Sequence, residues 1–291
     1  MRLSSVHITK ANEPYTSIRK MLDKMALPIA ASKIAVKLNM CDYRLPETGA
    51  VSDPAVVDSL VAALREKYPY AEIMLIENDA TTVKADIMFR YLGIETIAKQ
   101  YGAKTINLAH EKKWEKIEID GYHFKRIDVP SVITNCDLLI THPKLKTHSI
   151  TKISCGLKNM YGCYKERRKV RFHKFLDEAI VDINLALRPN ISIVDANICH
   201  EGIGGPIYGL PRKVGLLICG MDIVAVDAFC ARLIGFDPNG IGHIRRCSEK
   251  GLGNTQYELR DQLPDRMKNY RFDFNKRLFY LFKVMRRLQI G

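Results

Sequence analysis

The stretch HPKLKTHSITKISCGLKNMYGCYKERRK, residues 142–169, holds Lys144, Lys146, Lys152 and Lys158 among Pro, Gly and Asn, together with His142, His148, Cys155 and Cys163. A solvated helix face can be basic, but it would rarely place its lysines between a proline and glycines. An ammonium group is a compact, strongly hydrated point charge, so a site that gathers several needs an anion as partner. Lys144, Lys146 and Lys158 are therefore candidate ligands for phosphate or carboxylate, with Thr147, His148 and Asn159 adding directed hydrogen bonds. Gly156 and Gly162 would let backbone approach the ligand closely, as anion-binding loops require. His148 is the candidate proton carrier, because the unperturbed imidazole pKa lies nearest neutrality. The continuation KERRKVRFHK is denser in charge and lacks glycine, so a solvated helix start or mobile loop is expected there.

Cys155 and Cys163 lie eight positions apart, with His148 and His173 near them in sequence. They form a weak candidate metal set whose spacing matches no standard template. The chain has no CxxC, which argues against a zinc ribbon or a ferredoxin-type cluster. A divalent ion held by Asp195 and Asp79 stays open, and these two carboxylates could instead orient His148. Several of the eight cysteines sit in apolar runs such as GLLICG and AVDAFCARLIG, where a reduced cysteine acts as a small hydrophobe. A cytoplasmic protein with free thiols is expected.

Short apolar runs alternating with helical patterns must position these groups. KIAVKLNM (33–40), AEIMLIEND (71–79), KTINLA (104–109), CDLLITHPK (136–144), NISIVDA (190–196) and KVGLLICG (213–220) read as strands. DPAVVDSLVAALREKY (53–68) reads as a helix capped by Asp53 with Pro54 at its first position. Further helices are expected over 83–93, closed by Gly93, and over 94–102, 173–190, 222–236 and 240–253. KWEKIEIDGYHFKRIDV (113–129) alternates around an Asp-Gly turn, a hairpin signal. The whole predicts an α/β fold over 1–270: a mainly parallel sheet with helices on both faces, an inserted hairpin and a basic loop. Ligands of such sheets sit beyond the carboxyl ends of the strands. The expected strand ends there bring Lys37 and Asn39, then Glu77, Asn78 and Asp79, then His142, Lys144 and Lys146, and finally Asp195.

HEGIGGPIYGLP (200–211) is glycine-rich, but it precedes a strand and contains Pro206 and Pro211, which excludes a dinucleotide loop. A flexible loop offering backbone at Gly204 and Gly205 is expected, with Glu201 able to reach the same crevice. There is no P-loop, GxSxG or HExxH. Asp222 reads as a helix cap, and Asp227, among apolar residues, needs a buried partner. The balance of 45 Lys+Arg against 32 Asp+Glu, formally +13, suits an anionic small molecule, nucleic acid or an anionic lipid surface. No RNP-like strand, KH loop or zinc finger supports nucleic acid. The tail, 271–291, threads Phe, Leu and Tyr with Lys276, Arg277, Lys283, Arg286 and Arg287; a basic amphipathic helix docking on the body, a protein partner or an anionic membrane is expected. The N-terminus has no apolar core of a signal peptide, and no stretch approaches the roughly 18 apolar residues of a membrane span.

VKLNM with Lys37 and Asn39, HPKLKTH, GLKNMYG, SIVDA, EGIGGP and MDIVAVDAFCARLIGFDP together resemble the domain-of-unknown-function family numbered 362, from about residue 33 to 253. The resemblance implies an α/β domain of unassigned activity. It also implies that Lys37, Lys144, Lys146, His148, Lys158, Asn159, Gly162, His173, Asp195 and Asp227 occupy signature positions. Some relatives carry an added ferredoxin-like module with CxxC-type runs, which this chain lacks. The leading expectation is an enzyme or ligand-binding domain for an anionic small molecule. The rivals are a metal or iron–sulfur redox protein using Cys155 and Cys163, a nucleic-acid binder, and a peripheral membrane protein.

Overall fold

A computed structural model describes residues 3–166, 168–204 and 208–274. Of the C-terminal helix expected over 271–291, residues 271–274 are described and are not helical, while the remainder and Gly205 lie outside the described residues. The chain opens with β1 (Ser4–Lys10) and α1 (Pro14–Lys24), two elements for which no sequence expectation was drawn. β2 (Lys33–Lys37), α2 (Pro54–Lys67), β3 (Glu72–Glu77), α3 (Ala85–Tyr91), α4 (Ile94–Gln100) and β4 (Lys104–Asn107) follow. An antiparallel hairpin of β5 (Trp114–Glu118) and β6 (Arg126–Pro130) and the short α5 (Ser131–Thr134) lead to β7 (Leu138–Thr141). Then come β8 (Lys144–His148), β9 (Lys152–Ser154), α6 (Gly156–Met160) and α7 (Leu176–Ala186). β10 (Ile191–Gly204), β11 (Tyr208–Gly220), α8 (Ile223–Leu233), α9 (Gly242–Glu249) and β12 (Tyr257–Leu259) complete it.

One sheet runs in the order β12-β1-β11-β10-β7-β2-β3-β4, with β8 paired to β10 and to β9. From β10 through β7, β2 and β3 to β4 every pairing is parallel, while β11 runs antiparallel to both β10 and β1. The fold is α/β, with a mixed, mostly parallel sheet. Both faces are covered, which is why its strands read as unbroken apolar runs. Along β2, Ile34 and Val36 pack with Val57 and Leu60 of α2 and Met88 of α3, whereas Ala35 joins Leu157 of α6, Ile180 of α7 and Val226 of α8. Among the described residues no helix is long and apolar enough to cross a membrane.

Local chemistry sets several boundaries as expected. Asp53 accepts the Ala55 N–H and Pro54 is the first residue of α2, while Asp222 accepts the N–H groups of Val224 and Ala225 to start α8. Gly93 takes φ +69°, a left-handed geometry that separates α3 from α4.

Four expectations need correction. CDLLITHPK is not one strand: it stops at Thr141, and Pro143, which has no N–H to give a ladder, separates β7 from β8. KLKTH, whose lysines were expected at and just past the end of that strand, is itself a separate strand, β8, every residue of it buried. The described residues of HEGIGGPIYGLP, 200–204 and 208–211, are not an irregular loop either, since β10 and β11 stay paired from His200↔Pro211 out to Gly204↔Tyr208. Pro211 is tolerated because β1 pairs with β11 only from Leu216 to Cys219, leaving that side of Pro211 without a ladder to complete. The glycine at 209 is needed for the close approach: a Cβ there would lie 2.3 Å from the Glu201 carbonyl oxygen. The helix expected from 173 begins at Leu176, after a tight 3-10 stretch over Lys169–Phe175.

β8 is fixed to β10 by an ion pair: Lys144 Nζ lies 2.9 Å from Asp195 Oδ2, both side chains fully buried. Asp195 also accepts the Asn197 N–H at 2.9 Å. Removing one partner of a buried pair strands the other charge, which costs about 3–5 kcal/mol. Lys144→Met is thus expected to lower unfolding free energy by about that amount in urea titrations. A loss below about 1 kcal/mol would show that the pair does not hold β8 in place.

Candidate functional site

The parallel strands reverse their order around β2, whose neighbours are β3 on one side and β7 on the other. That is the switch point at which open α/β sheets leave a crevice beyond the carboxyl ends of the strands. The terminal residues there are Lys37 of β2, Glu77 of β3 and Thr141 of β7. The Asn159 carboxamide from α6 fills the gap between β2 and β7: its Nδ2 donates to the Lys37 carbonyl at 3.1 Å and to Thr141 Oγ1 at 3.0 Å. Its Oδ1 accepts from Asn39 Nδ2 at 3.2 Å and from Lys37 Nζ at 3.4 Å.

A cleft with about 170 Å³ of free space opens beside this clamp. Among the described residues it is lined by Lys37, Lys146, Lys158 and Lys169, by one carboxylate, Glu77, and by Asn39, Cys41, His148, Asn159, Gly162 and His173. Its lysines differ sharply in how they are satisfied. Lys37 Nζ meets Glu77 Oε1 at 2.6 Å and donates to the Leu38 carbonyl at 2.6 Å. Glu77 is held in turn by the N–H groups of Met40 and Asn78. Lys146 Nζ donates to Asn39 Oδ1 at 2.7 Å, the Ala50 carbonyl at 2.8 Å and Cys41 Sγ at 3.4 Å. Lys169 donates to the Gly162 carbonyl at 2.6 Å. Lys158, half-buried, makes no hydrogen bond or ion pair among the described residues. Gly162 is required for closeness, since a Cβ would lie 2.9 Å from Lys37 Nζ.

Charge crowding and burial move the titrating groups. Burial lowers the Lys158 pKa to about 8, with Lys146 and Lys37 adding to it against the pull of Cys41. Lys169 is lowered to about 8 by burial, with Lys37 and Lys158 adding to it against the pull of Glu77. Burial and then the charges of Lys158 and His173 hold His148 well below its ordinary value, so the imidazole is neutral at pH 7. Its Nδ1 accepts the Ile150 N–H at 3.2 Å, which leaves the proton on Nε2.

Several sequence candidates are placed elsewhere. Lys144 and Asp195 do not line the cleft; each is consumed by the other between β8 and β10. Asp79 also faces away, accepting from Lys84 Nζ at 2.7 Å, the Ala85 N–H at 3.1 Å and Asn107 Nδ2 at 3.0 Å, so it holds the start of α3. Asp227 finds its buried partners in the Gly156 and Leu157 N–H groups and thereby seats α6. Glu201 turns to Arg212 and the Asp273 N–H instead of the crevice. Gly204 ends β10 opposite Tyr208. Cys155 and Cys163 are buried in the core and outside the cleft, where burial pushes the Cys155 thiol far up and that of Cys163 to about 12. A metal ligand is a thiolate, and these environments disfavour one. His173 reaches the cleft without them, and among the described residues no three of His, Cys, Asp and Glu converge as a metal site would need.

Sequence reasoning missed Lys169, which was merged into the run KERRK, and gave Glu77 no role beyond a strand end. Only the register of that run separates Lys169, turned inward, from exposed Lys165 and Arg171, which pair with Asp128 and Glu166. Cys41, beside Lys146, carried no signal at all.

These features define an α/β protein with a lysine-lined cleft at the switch point of its sheet. The chain belongs to the family described as Domain of unknown function (DUF362), whose model matches residues 34–232. It is 31% identical over 147 residues to the thylakoid-associated protein sll1697 of Synechocystis sp., a match covering 48% of this chain and 46% of that protein. The chain thus spans less than half the length of that relative. Among solved structures it is similar to the lactate racemase apoprotein from Thermoanaerobacterium thermosaccharolyticum, with 10% identity and a TM-score of 0.41 over 73% of this chain and 54% of that one. That likeness is too low to carry an argument.

The clamp can be tested apart from any ligand. Asn159→Ala would take the amide donor from Thr141 Oγ1 and the amide acceptor from Asn39 Nδ2, both buried, while the Lys37 carbonyl keeps the His142 N–H. At about 1–3 kcal/mol for an unsatisfied buried group, a loss of about 2–4 kcal/mol is expected by urea unfolding. An unchanged midpoint would mean that the amide does not bridge the two strand ends.

Proposed function

We propose that the protein binds, and acts on, a small anionic molecule whose phosphate or carboxylate group is held by the ammonium groups of the cleft. The supporting observation is the imbalance of charge: among the described residues four lysines and a single carboxylate line it. Glu77 is already engaged with Lys37, so no acid is left for Lys158 or Lys169. Like charges held together away from bulk water repel, and an anion relieves that repulsion more than water does. Asn39 and Asn159 orient the lysines without neutralising them. His148, neutral and protonated on Nε2, supplies an uncharged donor and can exchange that proton during a reaction.

Isothermal titration with inorganic phosphate and with a dicarboxylate tests this reading. Lys169→Ala should weaken binding at least ten-fold, about 1.4 kcal/mol, while far-UV circular dichroism stays unchanged. Retained affinity would sink the assignment. The pH profile has a fixed sign. Lys158 and Lys169 carry charge below about pH 8 and lose it above, so affinity for the dicarboxylate, itself fully ionised near neutrality, should fall as pH rises through about 8. Ordinary lysines would hold the profile flat to about pH 10, and that outcome would remove these two from the site.

A further inference from the structure

Lys158 differs from the other lysines of the cleft. Lys37, Lys146 and Lys169 each donate to at least one protein oxygen, and Lys37 is also ion-paired. Lys158 has no such partner among the described residues, yet its backbone is held firmly from several sides. Asp227 accepts the Gly156 and Leu157 N–H groups, Asn184 Nδ2 donates to the Leu157 carbonyl at 2.8 Å, and Asn159 is locked into the clamp. A lysine that served only as a counter-charge would gain nothing from so fixed an anchor. An amine that must meet one carbon atom would.

We propose that Lys158 is an amine nucleophile that condenses with the carbonyl carbon of an anionic oxo compound, an aldehyde or ketone bearing phosphate or carboxylate. This rests on the anion reading above and adds the reaction to it. The neighbouring lysines would hold the anionic group while Lys158 attacks. With its pKa near 8, roughly a tenth of Lys158 is free amine at pH 7, against less than about 0.1% of an ordinary lysine. A desolvated lysine beside other cations is the arrangement that activates an amine for Schiff-base chemistry.

In the step itself the Nζ lone pair forms a C–N bond as the carbonyl π pair moves to oxygen. A proton passes from nitrogen to that oxygen, giving a carbinolamine. The oxygen then takes a second proton and leaves as water while the nitrogen lone pair closes the C=N bond. The product is a protonated imine and no oxidant or reductant is used.

Pyridoxal 5′-phosphate, an aldehyde that carries phosphate, followed by sodium borohydride, tests this on the intact protein. Borohydride delivers hydride to the C=N carbon and leaves a secondary amine that peptide mass spectrometry can place. At one equivalent of reagent Lys158 should be labelled at least ten-fold more than any surface lysine. Excess inorganic phosphate should suppress that label, and its yield should rise through about pH 8, well below the range of about 10 where an ordinary lysine amine becomes free. Lys158→Arg, which keeps a positive charge and removes the amine, should lose the preferred label. Labelling spread evenly over surface lysines, or preferred at Lys169, would overturn the nucleophile while phosphate titration still binds. If phosphate does not bind either, the anion reading falls with it.

Discussion

Bringing lysine ammonium groups out of bulk water at the ends of parallel strands is the constraint around which this structure is arranged. Each buried cation costs several kcal/mol unless other groups compensate it. The chain meets that cost unevenly, and the unevenness creates the site. Lys144, fully buried, has a carboxylate to itself. Lys37 has a carboxylate and carbonyl-type oxygens, and Lys146 has neutral acceptors only. Lys169 has one carbonyl, and Lys158 has none of these. Compensation thus declines from the interior of β8 towards the cleft, and what is missing there is negative charge.

The choice of asparagine at 39 and 159 follows from the same constraint. A carboxylate at either position would pair with Lys37 or Lys146 and cancel the field of the cleft. A carboxamide offers an acceptor to the ammonium group and a donor to a backbone or amide oxygen, so it fixes geometry and leaves charge in place. Asn159 does this across β2 and β7, and Gly162 lets the turn after α6 close over Lys37. Asp227, distant in sequence, contributes by seating the two residues that precede Lys158. These residues therefore divide between groups that line the cleft and groups that aim them.

Much of the frame was legible in the sequence because it follows from local rules. Unbroken apolar runs marked strands covered on both faces, and Asp53, Pro54 and Asp222 marked helix starts by their capping chemistry. The crevice was legible at the strand ends Lys37, Asn39 and Glu77. Pairing was not. Nothing in KLKTH says that its first lysine meets Asp195 some fifty residues later while its second meets Asn39 more than a hundred residues earlier. A two-residue period separates Lys144, Leu145 and Lys146, but only the register against β10 decides which lysine is neutralised. In the same way, the composition of HEGIGGPIYGLP suggested a loop because glycine and proline report local freedom, whereas the β10–β11 ladder is imposed by a partner strand.

The two tasks assigned to the cleft pull its chemistry in opposite directions, and the arrangement of lysines resolves this. An anion stabilises the charged form of any ammonium beside it, raising its pKa and quenching it as a nucleophile. A lysine that forms a bond to carbon must first lose its proton. One lysine cannot hold the charge of a substrate tightly and also attack its carbonyl with full effect. The cleft contains two with depressed pKa values, Lys158 and Lys169, of which Lys169 is tied to the Gly162 carbonyl and only Lys158 is untied. A substrate anion drawn towards Lys169 would keep that lysine protonated. Its positive charge, together with those of Lys37 and Lys146, would then continue to favour the neutral amine at Lys158. On the proposed reading, distance between the anionic group and the carbonyl of the substrate would be the quantity the cleft selects.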